Sequence, residues 1–597
     1  MNGWTGKALR INLSTGEVTH EEIDHDILKA FLGGRGLGAY FIHCEVPPTI
    51  DPLGQENLLA FCTGPLTGTT VPTGGRSSLS TLSPLTHTIF DSNSGAAFGS
   101  RLKWAGYDAL LIHGRSDKPV WLEVNGDGAS LHPANGLWGK NIPETVEHLA
   151  AKDSAVVCIG PAGENQVLLA AIMDEKGHAY GRGGVGAVMG SKNLKAILAF
   201  GKERPVAADP TKLEFVEYEA RKWISASPRT SQGLPEFGTS VLVNIMNNYG
   251  VLPTRNFQDG AFEQAEEISG ERLREHYLIK RSACLSCPIG CRRLTKTDNE
   301  KGDGPEYETI YALGSNLGIS DFEALIEANY LCNRLGLDTI SVGATLSCAM
   351  ELAERNLLET NLRFGETTHI KEAITDMAYR RGVGDWLSEG SRRLAERCGA
   401  PETAMQVKGL EFPGYDPRGM QGQGLLYATS NRGACHLRGN MLGPELLGVP
   451  KMLNRHATSG KAGVLIVMQH TSTVIDSIGL CKFAGFAIGD EFFARLLSAV
   501  TGEHYEVQDM LTAGERIWNL ERIYNLKAGF TSADDTLPKR FLETPHTKGA
   551  SQGKVVQLAP MLKEYYRFRG WDAYGVPTPQ KLKALGLVDI AQEATNA

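Results

Sequence analysis

The first third of the chain alternates apolar and polar residues in short runs separated by glycine. The clearest runs are ALRINL, YDALLIHG, VWLEV, AVVCIG and KAILAF, all within residues 1–205. A period of two residues, bounded by glycine, is typical of β-strands. We therefore predict a β-rich N-terminal domain over residues 1–205.

Beyond residue 205 the apolar positions recur with a helical period. In SDFEALIEANYLCNRLG, Ser320 and Glu323 have the spacing of a capping box, and Gly336 marks the expected end of the helix. KAGVLIVMQHTSTVIDSIG and AGERIWNLERIYNLKAG predict two further helices. A stretch rich in glycine and proline divides the helical part, so we predict mainly helical domains over residues 206–408 and 409–597. The expected fold class is α+β multidomain.

Composition narrows the classes of protein to which the chain can belong. Its 597 residues are 42% hydrophobic and 21% charged, and no apolar run approaches the roughly 20 residues of a membrane helix. A net charge of −8 argues against nucleic-acid binding, which generally depends on an excess of basic residues. The N-terminal sequence lacks the apolar core of a signal peptide, so we expect a cytoplasmic protein with no membrane span.

Three of the eleven cysteines are closely spaced: Cys284, Cys287 and Cys291. The number of cysteines is odd and no signal sequence is recognised. Both observations argue for reduced thiols, some of which are metal ligands. A metal site generally needs four ligands, and Cys481, just past a helix-ending glycine, is the candidate for the fourth. On spacing alone a structural zinc site remains an alternative to an iron–sulfur cluster.

Two pairs of similar motifs occur along the chain. The segments 64–76 (GPLTGTTVPTGGR) and 160–190 (with GPAGEN and GRGGVGAVMG) contain glycine-rich loops that let backbone N–H groups approach phosphate. The segments 333–338 (NRLGLD) and 476–481 (DSIGLC) each end a helix with Gly-Leu. This repetition indicates a pair of related binding sites.

Taken in order with GPEYE (304–308) and CHLR (435–438), these motifs resemble the tungsten-containing aldehyde ferredoxin oxidoreductase family along the whole chain. The resemblance implies that Cys284, Cys287, Cys291 and Cys481 hold one 4Fe-4S cluster.

The resemblance also implies a tungsten-bispterin cofactor, or tungstopterin, in which two molybdopterin-type dithiolene ligands hold the metal. Mg²⁺ would bridge the pterin phosphates, and the carbonyl oxygens of Asn93 and Ala179 would bind this Mg²⁺. Arg76 would contact a phosphate. Asp338 and Asp476 would accept hydrogen bonds from the pterins. The family has aspartate where this chain has Asn333. The other cofactor-binding residues implied are Arg182, Gly183, Gly336, Leu337, Arg438, Gly479 and Leu480.

The implied reaction is oxidation of aldehydes to carboxylic acids with water as the oxygen source. Glu308 and His436 are the implied catalytic residues, with Glu308 as general base and His436 as hydrogen-bond donor, or with these roles exchanged. Electrons would pass through the cluster to ferredoxin, or to a ferredoxin-like iron–sulfur subunit of a complex that can include a flavin subunit. Arg281, Arg292, Arg293 and Lys296 flank the cysteines and are candidates for attracting an acidic partner.

Some relatives in the family bridge two subunits with a single iron held by a Glu-x-x-His motif. Here the equivalent positions are Glu327 and Tyr330, so that bridging iron is not expected at a dimer interface.

Three alternatives remain at the level of the sequence. A catalytic subunit of the benzoyl-CoA type, reducing an aromatic ring with the same cofactor, is the nearest. Molybdenum in place of tungsten is the second. A zinc-stabilised binding protein without redox activity is the third, and it leaves the glycine-rich loops without a role.

Overall fold

The computed structural model of the chain describes residues 2–95 and 97–588. Its first part contains two six-stranded sheets. The strands are β1 (Lys7–Asn12), β2 (Glu17–Glu22), β3 (Leu59–Thr63), β4 (Ser77–Leu82), β5 (Ile89–Ser94), β6 (Ala109–His113), β7 (Val120–Asn125), β8 (Gly128–Pro133), β9 (Ser154–Cys158), β10 (Ile172–Asp174), β11 (Ala179–Tyr180) and β12 (Leu194–Phe200). The helices between them are α1 (His25–Phe31), α2 (Gly34–Glu45), α3 (Ala97–Trp104), α4 (Ile142–Leu149), α5 (Pro161–Glu164) and α6 (Val185–Ser191).

Both sheets are mixed and share an apolar core. Their strand orders are β2-β1-β6-β3-β4-β5 and β11-β10-β9-β12-β7-β8. The pairs β1–β6 and β7–β12 are parallel, and the other pairs are antiparallel. Leu9 and Ile11 of β1 share one core with Leu122 and Val124 of β7, whereas Ala8 faces a different core. This is the period-two alternation on which the prediction of strands rested.

The remainder of the chain is mainly helical. Its helices are α7 (Pro210–Ala226), α8 (Leu234–Phe237), α9 (Leu242–Asn248), α10 (Gly270–Arg272), α11 (Tyr307–Leu313), α12 (Phe322–Leu335), α13 (Thr339–Glu354), α14 (Ile370–Tyr379), α15 (Val383–Leu387), α16 (Ser391–Arg397), α17 (Gln421–Thr429), α18 (Lys461–Ile478), α19 (Asp490–Thr501), α20 (Val507–Lys527), α21 (Lys539–Glu543), α22 (Leu558–Arg569) and α23 (Pro579–Ala584). Its strands are β13 (Leu278–Ser282), β14 (Arg292–Lys296), β15 (Lys301–Asp303), β16 (Gln406–Val407) and β17 (Leu410–Glu411). The predicted fold class, a β-rich N-terminal part followed by helical regions, is confirmed.

The start of α12 differs by one residue from the prediction. Asp321, not Ser320, is the N-cap, and its side chain accepts the N–H of Ala324 at 3.0 Å. Glu323 therefore lies too early in the helix for a capping box, and its carboxylate accepts the N–H of Asp298 instead. The predicted end at Gly336 is confirmed.

The predicted domain boundaries fall in different surroundings. The boundary at 205/206 lies between β12 and α7, in a segment without helix or strand. The boundary at 408/409 falls inside the β16–β17 hairpin, and one large core, with members from Leu85 to Trp571, includes residues on both sides of it. The division of the helical part at that point stays a prediction.

Within the described residues, no helix has the length and apolar character needed to span a membrane.

Candidate active site

The turn that ends α12 lies directly on the N-terminal domain. Gly336 has φ +76°, and a Cβ there would lie 2.9 Å from the backbone nitrogen of Gly160. The carbonyl of Gly336 accepts the N–H of Ala171 at 2.8 Å, and the N–H of Asp338 donates to the Leu169 carbonyl at 2.9 Å. Only glycine fits this left-handed position at such a close approach.

The turn that ends α18 is docked in a similar way. Gly479 has φ +86°, and a Cβ there would collide with the Thr67 hydroxyl. Its carbonyl accepts the N–H of Arg76 at 3.1 Å, and the Ile478 carbonyl accepts the N–H of Leu66 at 3.0 Å. Each Gly-Leu turn thus contacts a glycine-rich loop that directly follows a strand, β9 in the first case and β3 in the second.

The aspartates of the two turns each bind an arginine that was itself predicted to contact cofactor. Asp338 pairs with Arg182 at 3.2 Å and also caps α13. Asp476 pairs with Arg438 at 2.7 Å and with Lys482 at 2.8 Å. A carboxylate has about four lone-pair sites, so both can accept further hydrogen bonds.

Three buried arginines converge beside Asp476 and Asp91. Arg438 pairs with Asp91 at 2.7 Å, Arg35 lies 3.4 Å from the same carboxylate, and Arg432 donates to the Asp91 carbonyl. Arg35 Nη1, Arg432 Nε and Arg438 Nε have no hydrogen-bond partner in the protein. Unpaired buried guanidinium N–H groups are costly, and they fit the acceptor oxygens of a phosphorylated ligand. The sequence motifs did not point to Arg35 or Arg432.

Asn93 and Ala179 lie on neighbouring strands. Asn93 is on β5 and Ala179 on β11, and these two strands pack against each other. The Asn93 side chain accepts from the Ser78 hydroxyl at 2.9 Å. Gly183, on the adjoining loop, has φ +81°, and its carbonyl accepts from the Ser83 hydroxyl at 2.7 Å.

The other predicted residues of the Gly-Leu turns line the same two junctions. Asn333 lies in the last turn of α12, where its carbonyl accepts the N–H of Gly336 at 3.4 Å. Leu337 and Leu480 are buried next to the two glycines.

The fold brings Cys481 next to the three clustered cysteines. Thr73 bridges the two segments, since its carbonyl accepts the N–H of Cys481 at 3.2 Å and its N–H donates to the Ser286 carbonyl at 3.1 Å. Burial and the charge of Cys481 raise the pKa of Cys287, and Cys481 also contributes to the raised pKa of Cys291. The four thiols therefore share one electrostatic environment.

Arg76 points at the thiols: its Nη2 lies 3.7 Å from the Cys481 sulfur. Among residues 2–95 and 97–588, no group of three or more His, Cys, Asp or Glu side chains is arranged to hold a single metal ion.

His178 contacts a predicted cluster ligand and was missed by the sequence reasoning. Its Nε2 lies 3.2 Å from the Cys284 sulfur, and its Nδ1 lies 2.9 Å from Asp174 Oδ2. Burial opposes the charge, but the hydrogen bonds to Asp174 and Cys284 raise the pKa of His178 to about 9. Burial likewise opposes ionisation of Cys284, whereas His178 and Arg76 lower its pKa below the ordinary value. The one feature of the sequence that could have indicated His178 is its position directly before Ala179, a predicted cofactor-binding residue.

Glu308 and His436 face each other, and both side chains are partly exposed. Glu308 lies in the first turn of α11, and its Oε1 is 3.5 Å from His436 Nε2. Burial raises the pKa of Glu308 to about 8, although the N–H of Gly414 and the charge of Arg182 oppose this. Burial, followed by the charges of Arg182 and Arg432, lowers the pKa of His436 to about 3. Glu308 Oε1 and His436 Nδ1 have no hydrogen-bond partner in the protein.

Three tyrosines hold the backbone that supports Glu308. The hydroxyl of Tyr307 donates to the Gly414 carbonyl, that of Tyr311 to Phe412 at 2.7 Å, and that of Tyr427 to Tyr415 at 3.2 Å. The N–H of Gly414 in turn donates to Glu308 Oε2 at 2.9 Å. One carboxylate oxygen is thereby fixed, and the other is left towards His436.

The prediction for the basic residues around the cysteines is partly wrong. Arg292 and Arg293 lie on the middle strand of a small sheet and are buried, so they are not available to a partner. Arg292 pairs with Asp303, and Arg293 donates to the Cys291 carbonyl at 2.7 Å. Arg281 is exposed, as is Lys296.

Glu327 and Tyr330, on α12, have partners within the chain. Glu327 pairs with Lys371 at 2.6 Å, and the Tyr330 hydroxyl lies 2.6 Å from that of Thr295.

Family models match both parts of the chain. The aldehyde ferredoxin oxidoreductase N-terminal domain matches residues 8–201, and domains 2 and 3 of the same family match residues 216–587. The tungsten-containing aldehyde ferredoxin oxidoreductase of Pyrococcus furiosus is 46% identical, over 99% of this chain and 100% of its own length. That of Thermococcus kodakarensis is 47% identical over the same shares.

Two more distant proteins share the fold. The WOR-like subunit of an aliphatic sulfonate oxidoreductase from Pyrococcus furiosus is 31% identical over 99% of this chain and 98% of its own length. The active-site complex of benzoyl coenzyme A reductase with 1,5 dienoyl-CoA has a TM-score of 0.87 and 22% identity, covering 100% of this chain and 99% of its own. At that identity the likeness concerns the fold alone.

Proposed function

The chain belongs to the aldehyde ferredoxin oxidoreductase family, and from that premise we propose that it oxidises aldehydes to carboxylic acids with water as the oxygen source. The observation that carries the proposal is the largely buried pair of Glu308 and His436, in which Glu308 Oε1 lies 3.5 Å from His436 Nε2. Glu308 Oε1 and His436 Nδ1 have no hydrogen-bond partner in the protein. A carboxyl and an imidazole with oppositely shifted pKa values form a matched acid–base pair.

The two Gly-Leu turns and the glycine-rich loops would hold the cofactor, a tungsten-bispterin. The unpaired N–H groups of Arg35, Arg432 and Arg438 suit phosphorylated pterins, and the contact between β5 and β11 supports the Asn93 and Ala179 carbonyls as oxygen ligands for Mg²⁺. When bound, the tungsten centre supplies the acceptor for two electrons.

One 4Fe-4S cluster is held by Cys284, Cys287, Cys291 and Cys481. Four thiolates are the usual ligand set for such a cluster, and the pairing of Thr73 with both cysteine segments supports a single site. When bound, the cluster would supply one-electron transfer to ferredoxin, and we place the reaction in the cytoplasm, where thiols remain reduced.

The chemistry balances as aldehyde plus water giving carboxylic acid, two protons and two electrons. Glu308 is the proton acceptor, because a pKa of about 8 leaves a fraction of it ionised at neutral pH and most of it ionised above pH 8, whereas a pKa of about 3 makes His436 a poor base. His436 stays neutral and donates an N–H hydrogen bond to the aldehyde oxygen. Gly414 keeps the Glu308 carboxylate oriented.

The test is aldehyde-dependent reduction of benzyl viologen by protein purified without oxygen. We expect activity with an aldehyde and water, and loss of at least about a hundredfold in kcat for Glu308→Gln. Dearomatisation of an aryl-CoA thioester without aldehyde oxidation would instead favour the ring-reductase alternative. Absence of both activities in tungsten-loaded protein would overturn the proposal.

A further inference from the structure

Two neighbouring surface segments close to the cysteine loop are basic and carry no acidic residue. Residues 221–232 contain Arg221, Lys222 and Arg229, and residues 279–288 contain Lys280 and Arg281. All five of these side chains are exposed. This concentration contrasts with the net charge of −8 of the whole chain.

The two segments meet at a cavity of about 580 Å³. Ile224, Thr230 and Pro235 line one side of it, and Arg281, Pro288 and Ile289 line the other. We call the surface formed by residues 221–232 and 279–288 the basic groove.

Apolar side chains are exposed among the cations. Trp223 is 57% exposed, Ile279 is 46% exposed and Leu285, between two predicted cluster ligands, is 36% exposed. Large exposed apolar groups surrounded by charge are characteristic of protein contact sites.

The nearest carboxylates on α7 and α8 are already engaged. Glu217 accepts from the Thr70 hydroxyl at 2.6 Å, Glu219 pairs with Arg495, and Glu236 pairs with Arg274 at 3.3 Å. Glu217 offsets part of the charge of Arg221, whereas Glu219 and Glu236 are paired with cations outside the basic groove. With five cations and one nearby carboxylate, the basic groove keeps a net positive charge.

The floor of the basic groove is the packing around the cluster ligands. Ile224 and Ile289 belong to a small apolar cluster against which Cys287 and Cys291 pack. One layer of side chains would separate a protein bound in the basic groove from the thiols of Cys287 and Cys291.

We propose that the basic groove is the docking surface for an acidic ferredoxin, which takes one electron at each encounter. This inference rests on the proposed function, because it assumes that the four thiols hold a cluster. Positive charge around the exit point steers an acidic carrier, and the apolar groups hold it once docked.

The test reverses two charges. In Lys222→Glu/Arg281→Glu, the KM for a purified acidic two-cluster ferredoxin should rise about tenfold at low ionic strength, and the difference should shrink with added salt. Viologen-linked aldehyde oxidation should be unchanged. The matched control is Lys118→Glu/Lys563→Glu, which changes the net charge equally at exposed positions in other parts of the fold.

A KM for ferredoxin that is unchanged, or that rises equally in the control, would overturn the proposed surface. Calorimetric binding of the ferredoxin to the wild type and both variants gives a readout that needs no turnover. Loss of binding in the first variant alone supports the surface even if no aldehyde is oxidised. Failure of the docking surface is thereby distinguished from failure of the proposed function.

Discussion

Glu308 and His436 owe their properties to burial rather than to each other. Because burial raises the pKa of the carboxyl and lowers that of the imidazole, both groups are uncharged near neutral pH. Placing two uncharged groups face to face avoids an isolated buried charge and leaves Glu308 ready to ionise as pH rises.

This predicts the pH dependence of the reaction. A base works only when it is deprotonated, and the ionised fraction of Glu308 rises with pH through its pKa of about 8. The viologen-linked kcat/KM should therefore increase with pH up to about 8 and level off above it. Glu308→Gln should remove that rise along with most of the activity. A wild-type profile that falls between pH 7 and pH 9 would contradict the assignment of Glu308 as base.

His178 gives a second prediction at this scale. Both ring nitrogens of His178 contact acceptors, Nδ1 the Asp174 carboxylate and Nε2 the Cys284 sulfur, so each nitrogen carries a proton. His178 therefore donates an N–H to the Cys284 sulfur. Hydrogen bonds to cluster sulfurs stabilise the reduced, more negative state. His178→Phe should lower the cluster potential by tens of millivolts, in line with the energy of a charged hydrogen bond.

The potential can be measured by redox titration followed by electron paramagnetic resonance. His132→Phe is the control, since His132 stacks on Trp121 at 4.2 Å on β8. Equal potentials in wild type and His178→Phe would show that the contact does not tune the cluster.

At the scale of elements, the site depends on two helix ends that approach the N-terminal domain closely. Both turns have a left-handed glycine whose missing side chain admits backbone or side-chain atoms of the facing loop. The end of α12 thereby presents Asn333 and Asp338, and the end of α18 presents Asp476 and Cys481, at equivalent positions around the two glycines.

Gly336→Ala tests this arrangement. The substitution places a Cβ against Gly160 in addition to the strain of a left-handed alanine. Gly399→Ala is the control, because Gly399 has φ +71° but nothing lies within 4 Å of its Cβ position. The left-handed backbone conformation should lower the free energy of unfolding of both variants by about 1 kcal/mol. Only Gly336→Ala should also lose bound tungsten. Equal tungsten content and equal thermal midpoints in the two variants would argue against the close approach.

The helix ends were predictable because the signal is local. Gly336 and Gly479 come directly after the periodic apolar residues of their helices, and the glycine-rich loops can be recognised from their glycine content. The N-cap of α12 was misassigned because serine and aspartate are adjacent and equally able to cap.

At the scale of the whole molecule, distant segments meet in ways that no single motif reveals. Arg35, Asp91 and Asp476 converge from three parts of the chain, and of these only Asp476 belongs to a motif described in the sequence analysis. Arg292 looked available because it follows Cys291, but the strand geometry turns it inward onto Asp303. The same long-range packing explains why the core continues across the predicted boundary at 408/409.

The decisive measurement is metal and sulfide analysis of anaerobically purified protein, with an absorbance spectrum. The account predicts about one tungsten, about four irons and about four sulfides per chain, with the absorbance of an iron–sulfur cluster. Zinc without tungsten or sulfide, in protein from its native host, would contradict it and leave a zinc-stabilised protein without redox chemistry.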